Sequence, residues 1–140
     1  MNTCNAIKQY APLLGRILLS MIFIIAGYHK IGGFAHTAGY MASKGLPMPE
    51  LLLALTIAIE LGGGLMILLG WHARMAALAF FLWLIPVTVV FHAFWNADPA
   101  DIQNQMNHFM KNLAIMGGML YVVANGPGPC SVCNPSNKAE

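Results

Sequence analysis

The sequence predicts an all-α integral membrane protein, a four-transmembrane-helix bundle with a short amphipathic segment in the first loop. Two observations predict it. The 140-residue chain is 58% hydrophobic and only 9% charged, whereas a soluble domain carries about 25% charged residues. Its apolar residues also fall into four stretches, each near the ~20 residues needed to cross a bilayer. Their length favours helix over buried strand, and in hydrocarbon a helix satisfies its own backbone. The length suits one domain. The net charge of +2 and the lack of a basic run point away from nucleic acid as a partner.

The first span is expected over residues 13–30. Ala11-Pro12 suits a first helical turn and Gly32-Gly33 a stop. The stretch resembles the apolar core of a signal peptide, but no small-residue cleavage site follows, so it is read as a retained span. The loop over residues 34–49 carries Phe34, Ala38, Met41, Ala42 and Leu46 at helical spacing. That pattern suits a short helix lying on the membrane, with a plain ordered loop as the other reading.

The second span, residues 51–69, starts after Pro47 and Pro49 and ends at Gly70. The third, residues 73–95, contains Pro86, which should kink it and free the Leu82 carbonyl. A polar loop follows over residues 96–106. The fourth span, residues 108–125, stops at Gly126-Pro127-Gly128-Pro129. The membrane domain is therefore residues 1–128, and residues 129–140 form a tail expected to be mobile. The first and third spans both run from an Arg to a His (Arg16 to His29, Arg74 to His92), but without the fixed period of a repeat.

Four spans put both termini on one side, with Lys8, Arg16, Arg74 and Lys138. Lys30, Lys44 and Lys111 lie on the other. The excess of Lys and Arg favours cytoplasmic termini. Trp71, Trp95, Tyr10 and Tyr28 fall near span ends, as interfacial anchors should.

One carboxylate, Glu60, stands in the middle of the second span. A charge at mid-bilayer costs about 3 kcal/mol on insertion scales, so it should face the bundle interior and have a partner. Gly63 and Gly64 share its helix face and let another helix approach closely. Lys30 or Lys111 is the expected partner. A bundle would gather Glu60, Lys30, His92, His108, Lys111 and Asn112 at one side, with Arg16 and Arg74 toward the other. In one reading the pair fixes helix register and nothing more. In the other the cluster binds a polar head group or relays protons, as suits a quinone whose carbonyls need donors.

The ordered polar stretches resemble the DoxX family, especially its short bacterial inner-membrane members. They are Gly15-Arg16, Ala26-Gly27-Tyr28-His29-Lys30, Tyr40-Met41-Ala42-Ser43-Lys44-Gly45-Leu46-Pro47 and Ile59-Glu60-Leu61-Gly62-Gly63-Gly64. Leu69-Gly70-Trp71-His72-Ala73-Arg74, Phe91-His92-Ala93-Phe94-Trp95, Phe109-Met110-Lys111-Asn112 and Gly126-Pro127-Gly128 continue the series. The resemblance implies a four-helix fold in the bacterial inner membrane, with Arg16, Lys30, Glu60, Arg74, His92 and Lys111 as its polar core. It also implies a link to redox or oxidative-stress partners, since the family is named after a subunit associated with a thiosulfate:quinone oxidoreductase.

The tail departs from the family pattern with Cys130-Ser131-Val132-Cys133, and Cys4 lies near the other terminus. A C-x-x-C is a redox dithiol or half a metal site. Gly-Pro-Gly-Pro before it and Asn134-Pro135 after it leave no helix to lower a thiol pKa, and three cysteines fall short of four zinc ligands. No metal is expected, copper included: most of the ten methionines lie in spans, where they pack, and form no compact ligand cluster. The function read from the sequence is an accessory or anchoring subunit of a quinone-linked redox system, in contact with membrane lipids and a redox partner subunit or further copies of itself. The alternatives are a scaffold recruiting a soluble partner through its termini and a small-solute or proton pathway.

Overall fold

The computed structural model describes residues 3–132, with side chains from residue 5. Every regular element among them is helical. α1 spans Thr3–Gly32, α2 Phe34–Ser43, α3 Pro49–Leu69 and α4 Ala73–Phe91; a 3-10 turn at Phe94–Asn96 precedes α5, Ile102–Asn125. Within the described residues three stretches are long and apolar enough to cross a membrane: Asn5–Gly32, Pro49–Leu69 and Ala73–Asn96. α5 is long enough, but its first half carries Gln103, Asn104, Gln105, Asn107, His108, Lys111 and Asn112.

Several boundaries differ from the expected spans. α1 begins at Thr3, ten residues before the expected start, so Pro12 is an interior proline rather than a first-turn one. Nothing in residues 3–11 stops a helix, and α1 continues through Pro12 although an interior proline loses its own N–H bond and crowds the carbonyl four residues back. α4 ends at Phe91, where His92 leaves helical geometry. It runs through Pro86 as one helix. Half of the expected polar loop belongs to α5, which begins at Ile102 after Asp101.

α1 packs along α3, α3 against α4, and α4 along α5. The core holds Phe23, Ile67, Ala77, Phe80, Leu84 and Met119. Phe23 of α1 stacks on Phe80 of α4, with ring centroids 3.9 Å apart. The glycines of α3 make room for this. A Cβ at Gly63 would sit 2.8 Å from Phe80, and one at Gly64 2.8 Å from Ile24 of α1. Hydrophobicity does not drive helices together in lipid, so such close packing does. The amphipathic segment of loop 1 is α2. Its Ala38 and Met41 are buried against Leu53 of α3, with Phe34 and Leu46 beside them. Ala42 faces outward.

At the other end the corner between α3 and α4 turns on Gly70, whose φ is +70°. A Cβ there would run into Arg16 Nη1 and Ser131. Residues 130–132 lie on this corner: Val132 N–H donates to Leu69 O at 3.0 Å, and Ser131 is buried. Gly70→Ala is expected to cost about 1–2 kcal/mol in backbone strain alone, and more from the clash. A lower melting temperature in detergent, with faster proteolysis of the C-terminal segment, would show it.

Candidate functional site

The site is built at the end of the bundle where α1 meets α2. The residues before Gly32-Gly33 carry Lys30 on the last turn of α1, facing α3. Glu60 lies eleven residues into α3, on the face that Gly63 and Gly64 open. The two meet as an ion pair: Lys30 Nζ donates to both Glu60 oxygens at 2.8 Å. Glu60 is 4% exposed, while Lys30 is half-buried. The expected alternative partner, Lys111, lies elsewhere.

Beside the pair is a cavity of about 230 Å³. Thr56 and Glu60 of α3, Lys30, and His92 give it polar points; Tyr40, Trp83 and Phe91 give it aromatic walls. Tyr40 of α2 and Phe91 of α4 face each other, with ring centroids 5.8 Å apart. α2 thus forms one side of the cavity as well as covering α3. The volume lies below the ~300–1,000 Å³ of sites for drug-sized ligands. It suits one ring-sized head group with any long tail left outside.

The remaining polar residues form a second string that starts at the same cavity. His92 lines it, lies 3.1 Å from Gln105 Oε1 through Nδ1, and stacks on His108 with ring centroids 5.0 Å apart. His108 Nδ1 accepts from Lys111 Nζ at 3.0 Å, and Lys111 is exposed. Asn112 is buried and turned the other way: its Nδ2 donates to Thr88 Oγ1 of α4 at 3.0 Å. Lys30, Glu60 and His92 therefore share one cavity, His108 and Lys111 lead from it to the surface, and Asn112 clasps α4 to α5. Arg16 is buried at the far end and Arg74 is exposed there.

Sequence reasoning missed Tyr40, Trp83 and Gln105. Tyr40 and Trp83 resemble ordinary membrane aromatics, and Gln105 falls in what reads as loop. Asp101 and Gln105 at i, i+4 were a readable helix signal, and their side chains meet at 3.4 Å. Among the described residues Cys130 is an exposed thiol with no disulfide partner. Cys133 lies outside the described residues, as does the side chain of Cys4. Among the described residues no three His, Cys, Asp or Glu side chains gather as metal ligands do.

The family model that matches this chain is DoxX, over residues 11–93. Inner membrane protein YphA of Escherichia coli is 35% identical over 128 residues, covering 91% of each chain. Inner membrane protein YqjF of the same organism is 40% identical over 132 residues, covering 94% of this chain and 96% of the relative. No solved structure matches the chain.

Proposed function

The chain belongs to the DoxX family, and on that premise we propose that it serves a quinone-linked redox system of the bacterial inner membrane, as an accessory or anchoring subunit that holds a quinone head group in the cavity between α1, α2, α3 and α4. One observation carries this reading. A buried Glu60 paired through both its oxygens with half-buried Lys30 stands on the wall of a ring-sized aromatic cavity, next to a histidine.

The residues suit the task. Lys30 has an ammonium proton to spare beyond the two it gives Glu60, so it donates to a carbonyl oxygen without breaking the pair. Tyr40, Trp83 and Phe91 offer ring faces against which a planar head group stacks. A bound quinone would supply two-electron carrier chemistry. His92, His108 and Lys111 give protons a route between the cavity wall and the surface. The apolar walls keep water scarce and strengthen each of these contacts.

The test is native mass spectrometry of the protein released from its own membranes in mild detergent. The expected result is a mass increment matching a quinone, lost in Glu60→Gln while the variant still inserts. No increment in wild type, or the same increment in Glu60→Gln, removes the quinone site.

The same proposal takes α5 as a fourth span, closing a membrane domain of residues 1–128. Asn112 points inward, while Leu113, Leu120 and Tyr121 face outward. Both termini then share a side, and Lys8, Arg16 and Arg74 make it the cytoplasmic one. A fluorescent protein fused at either end is expected to fluoresce, and alkaline phosphatase at either end to stay inactive. Opposite behaviour of the two ends would mean an odd number of spans.

A further inference from the structure

His92 is mounted firmly. Its N–H donates to Thr88 O at 3.0 Å and its carbonyl accepts from Phe94 N–H at 2.9 Å, which fixes the turn after α4. Phe94 and Trp95 of that turn meet Phe109 of α5 edge-on, with ring centroids 5.4 and 5.8 Å apart. The imidazole itself is held from the first turn of α5. Gln105 Oε1 lies 3.1 Å from His92 Nδ1, and Gln105 Nε2 donates to Asp101 Oδ2 at 3.4 Å. The other oxygen of Asp101 accepts from Asn104 Nδ2 at 3.3 Å.

This order of partners assigns the hydrogens. An ionised carboxylate only accepts, so the Gln105 amide turns its nitrogen toward Asp101 and its oxygen toward His92. The amide oxygen also only accepts, so the ring proton of His92 sits on Nδ1 and Nε2 is a bare lone pair. His92 lines the cavity and Gln105 does not. Nε2 is therefore the nitrogen left to serve a ligand. The stacked ring beside it has the opposite pattern. Lys111 Nζ donates to His108 Nδ1 at 3.0 Å, which puts the His108 proton on Nε2.

We propose that Asp101 and Gln105 are positioning residues for His92, and that the acceptor they make of its Nε2 selects the reduced, hydroxyl-bearing form of the head group. Resting on the quinone reading of the cavity, this assignment gives the two polar walls opposite senses: Lys30 only donates, and neutral His92 Nε2 only accepts. A hydroquinone answers both. One of its hydroxyl oxygens accepts from Lys30, and its other hydroxyl donates to Nε2. A quinone has no hydrogen to give, so its second carbonyl faces a lone pair and one bond goes unmade.

The full-length protein is labelled with nitrogen-15 histidine and held in mild detergent at about pH 8, where an ordinary imidazole is neutral. Nitrogen–proton correlation spectra tell a protonated ring nitrogen from a bare one, and His92→Gln and His108→Gln assign the two signals. The expected result is His92 with its proton on Nδ1 and His108 with its proton on Nε2. Asp101→Asn lets the Gln105 amide turn over, and Gln105→Met removes the acceptor; in both, His92 becomes a mixture of the two forms. The Asp101 side chain caps no N–H of α5, and asparagine suits the same helix start, so the fold is kept. Tetramethylbenzoquinone and its hydroquinone, under argon, are then compared by equilibrium dialysis against protein-free micelles. Wild type holds the hydroquinone about tenfold more tightly, the factor for one shielded hydrogen bond left unmade. Both variants lose that preference. Gln103→Met, on the exposed side of α5 where Gln103 pairs with Asn107, changes neither readout. A Gln105 that served the fold alone would lower the melting temperature and leave the ring protons where they are. His92 with its proton on Nε2, an unmoved His92 signal in both variants, or quinone held as tightly as hydroquinone would each overturn this proposal alone. Binding of neither form would overturn it together with the head-group reading.

Discussion

Lys30→Met is expected to destabilise the protein by about 3–5 kcal/mol, the cost of leaving a buried charge without its partner. Glu60 is 4% exposed and, among the described residues, accepts hydrogen bonds from Lys30 alone. With methionine at position 30 its carboxylate either stays ionised in an apolar wall or takes up a proton. Both routes cost folding energy. Lys30→Met with Glu60→Gln removes both charges, keeps the volumes similar, and should recover most of the loss. The measurement is an unfolding titration in mixed micelles on wild type, both single variants and the double. Additive single effects would show that the pair has no special energetic coupling, since groups in contact normally depart from additivity by 0.5–3 kcal/mol, roughly. Strong coupling would also separate stability from function: a double variant that folds but retains no quinone locates the chemistry in the charges rather than the packing.

Phe80→Ala is expected to cost about 3–5 kcal/mol, in the range for emptying a buried aromatic site. Phe80 is 1% exposed, stacks on Phe23 and meets Trp83 edge-on at 6.2 Å. In a bilayer the transfer term is small, because lipid is as apolar as the core; the loss is of dispersion contacts and close helix approach. Gly63 offers a sharper version. A Cβ there would lie 2.8 Å from Phe80 Cε2 and 3.0 Å from its Cζ. Gly63→Ala should therefore destabilise wild type by about 1–3 kcal/mol through overpacking, yet be nearly neutral in the Phe80→Ala background, where the ring is gone. Equal effects in both backgrounds would mean the ring yields freely and the contact between α3 and α4 is loose.

The sequence made these features legible to different degrees, for physical reasons. Glu60 was readable because a lone carboxylate in an apolar run must have a partner, and Gly63 and Gly64 marked the helix face on which to seek it. The choice between Lys30 and Lys111 was not readable. It depends on which helix lies beside α3, and α1 does while α5 does not. Pro12 misled because a proline lacks an N–H in a first turn and in an interior turn alike. The start of α5 was hidden because its first turns are polar, and polarity between apolar runs reads as loop until the i, i+4 pair of Asp101 and Gln105 is weighed. Least legible was the meeting of Arg16 with residues 130–132. The four residues that follow Gly128 read as the start of a mobile tail, yet Cys130 O, Ser131 and Val132 N–H all engage the bundle. Such long-range contacts leave no local periodicity to detect.

The two polar clasps divide the chain evenly. Lys30 and Glu60 join α1 to α3, and Thr88 and Asn112 join α4 to α5. Each clasp closes within one helical hairpin, between long helices that are neighbours in chain order. As the chain emerges from the ribosome, each hairpin can thus make its own clasp as soon as its second helix is complete, without waiting for the other. The order of synthesis and the order of clasp closure coincide, and what needs both halves, namely the Phe23–Phe80 stack, the cavity beside Lys30 and the Gly70 corner with residues 130–132, forms last.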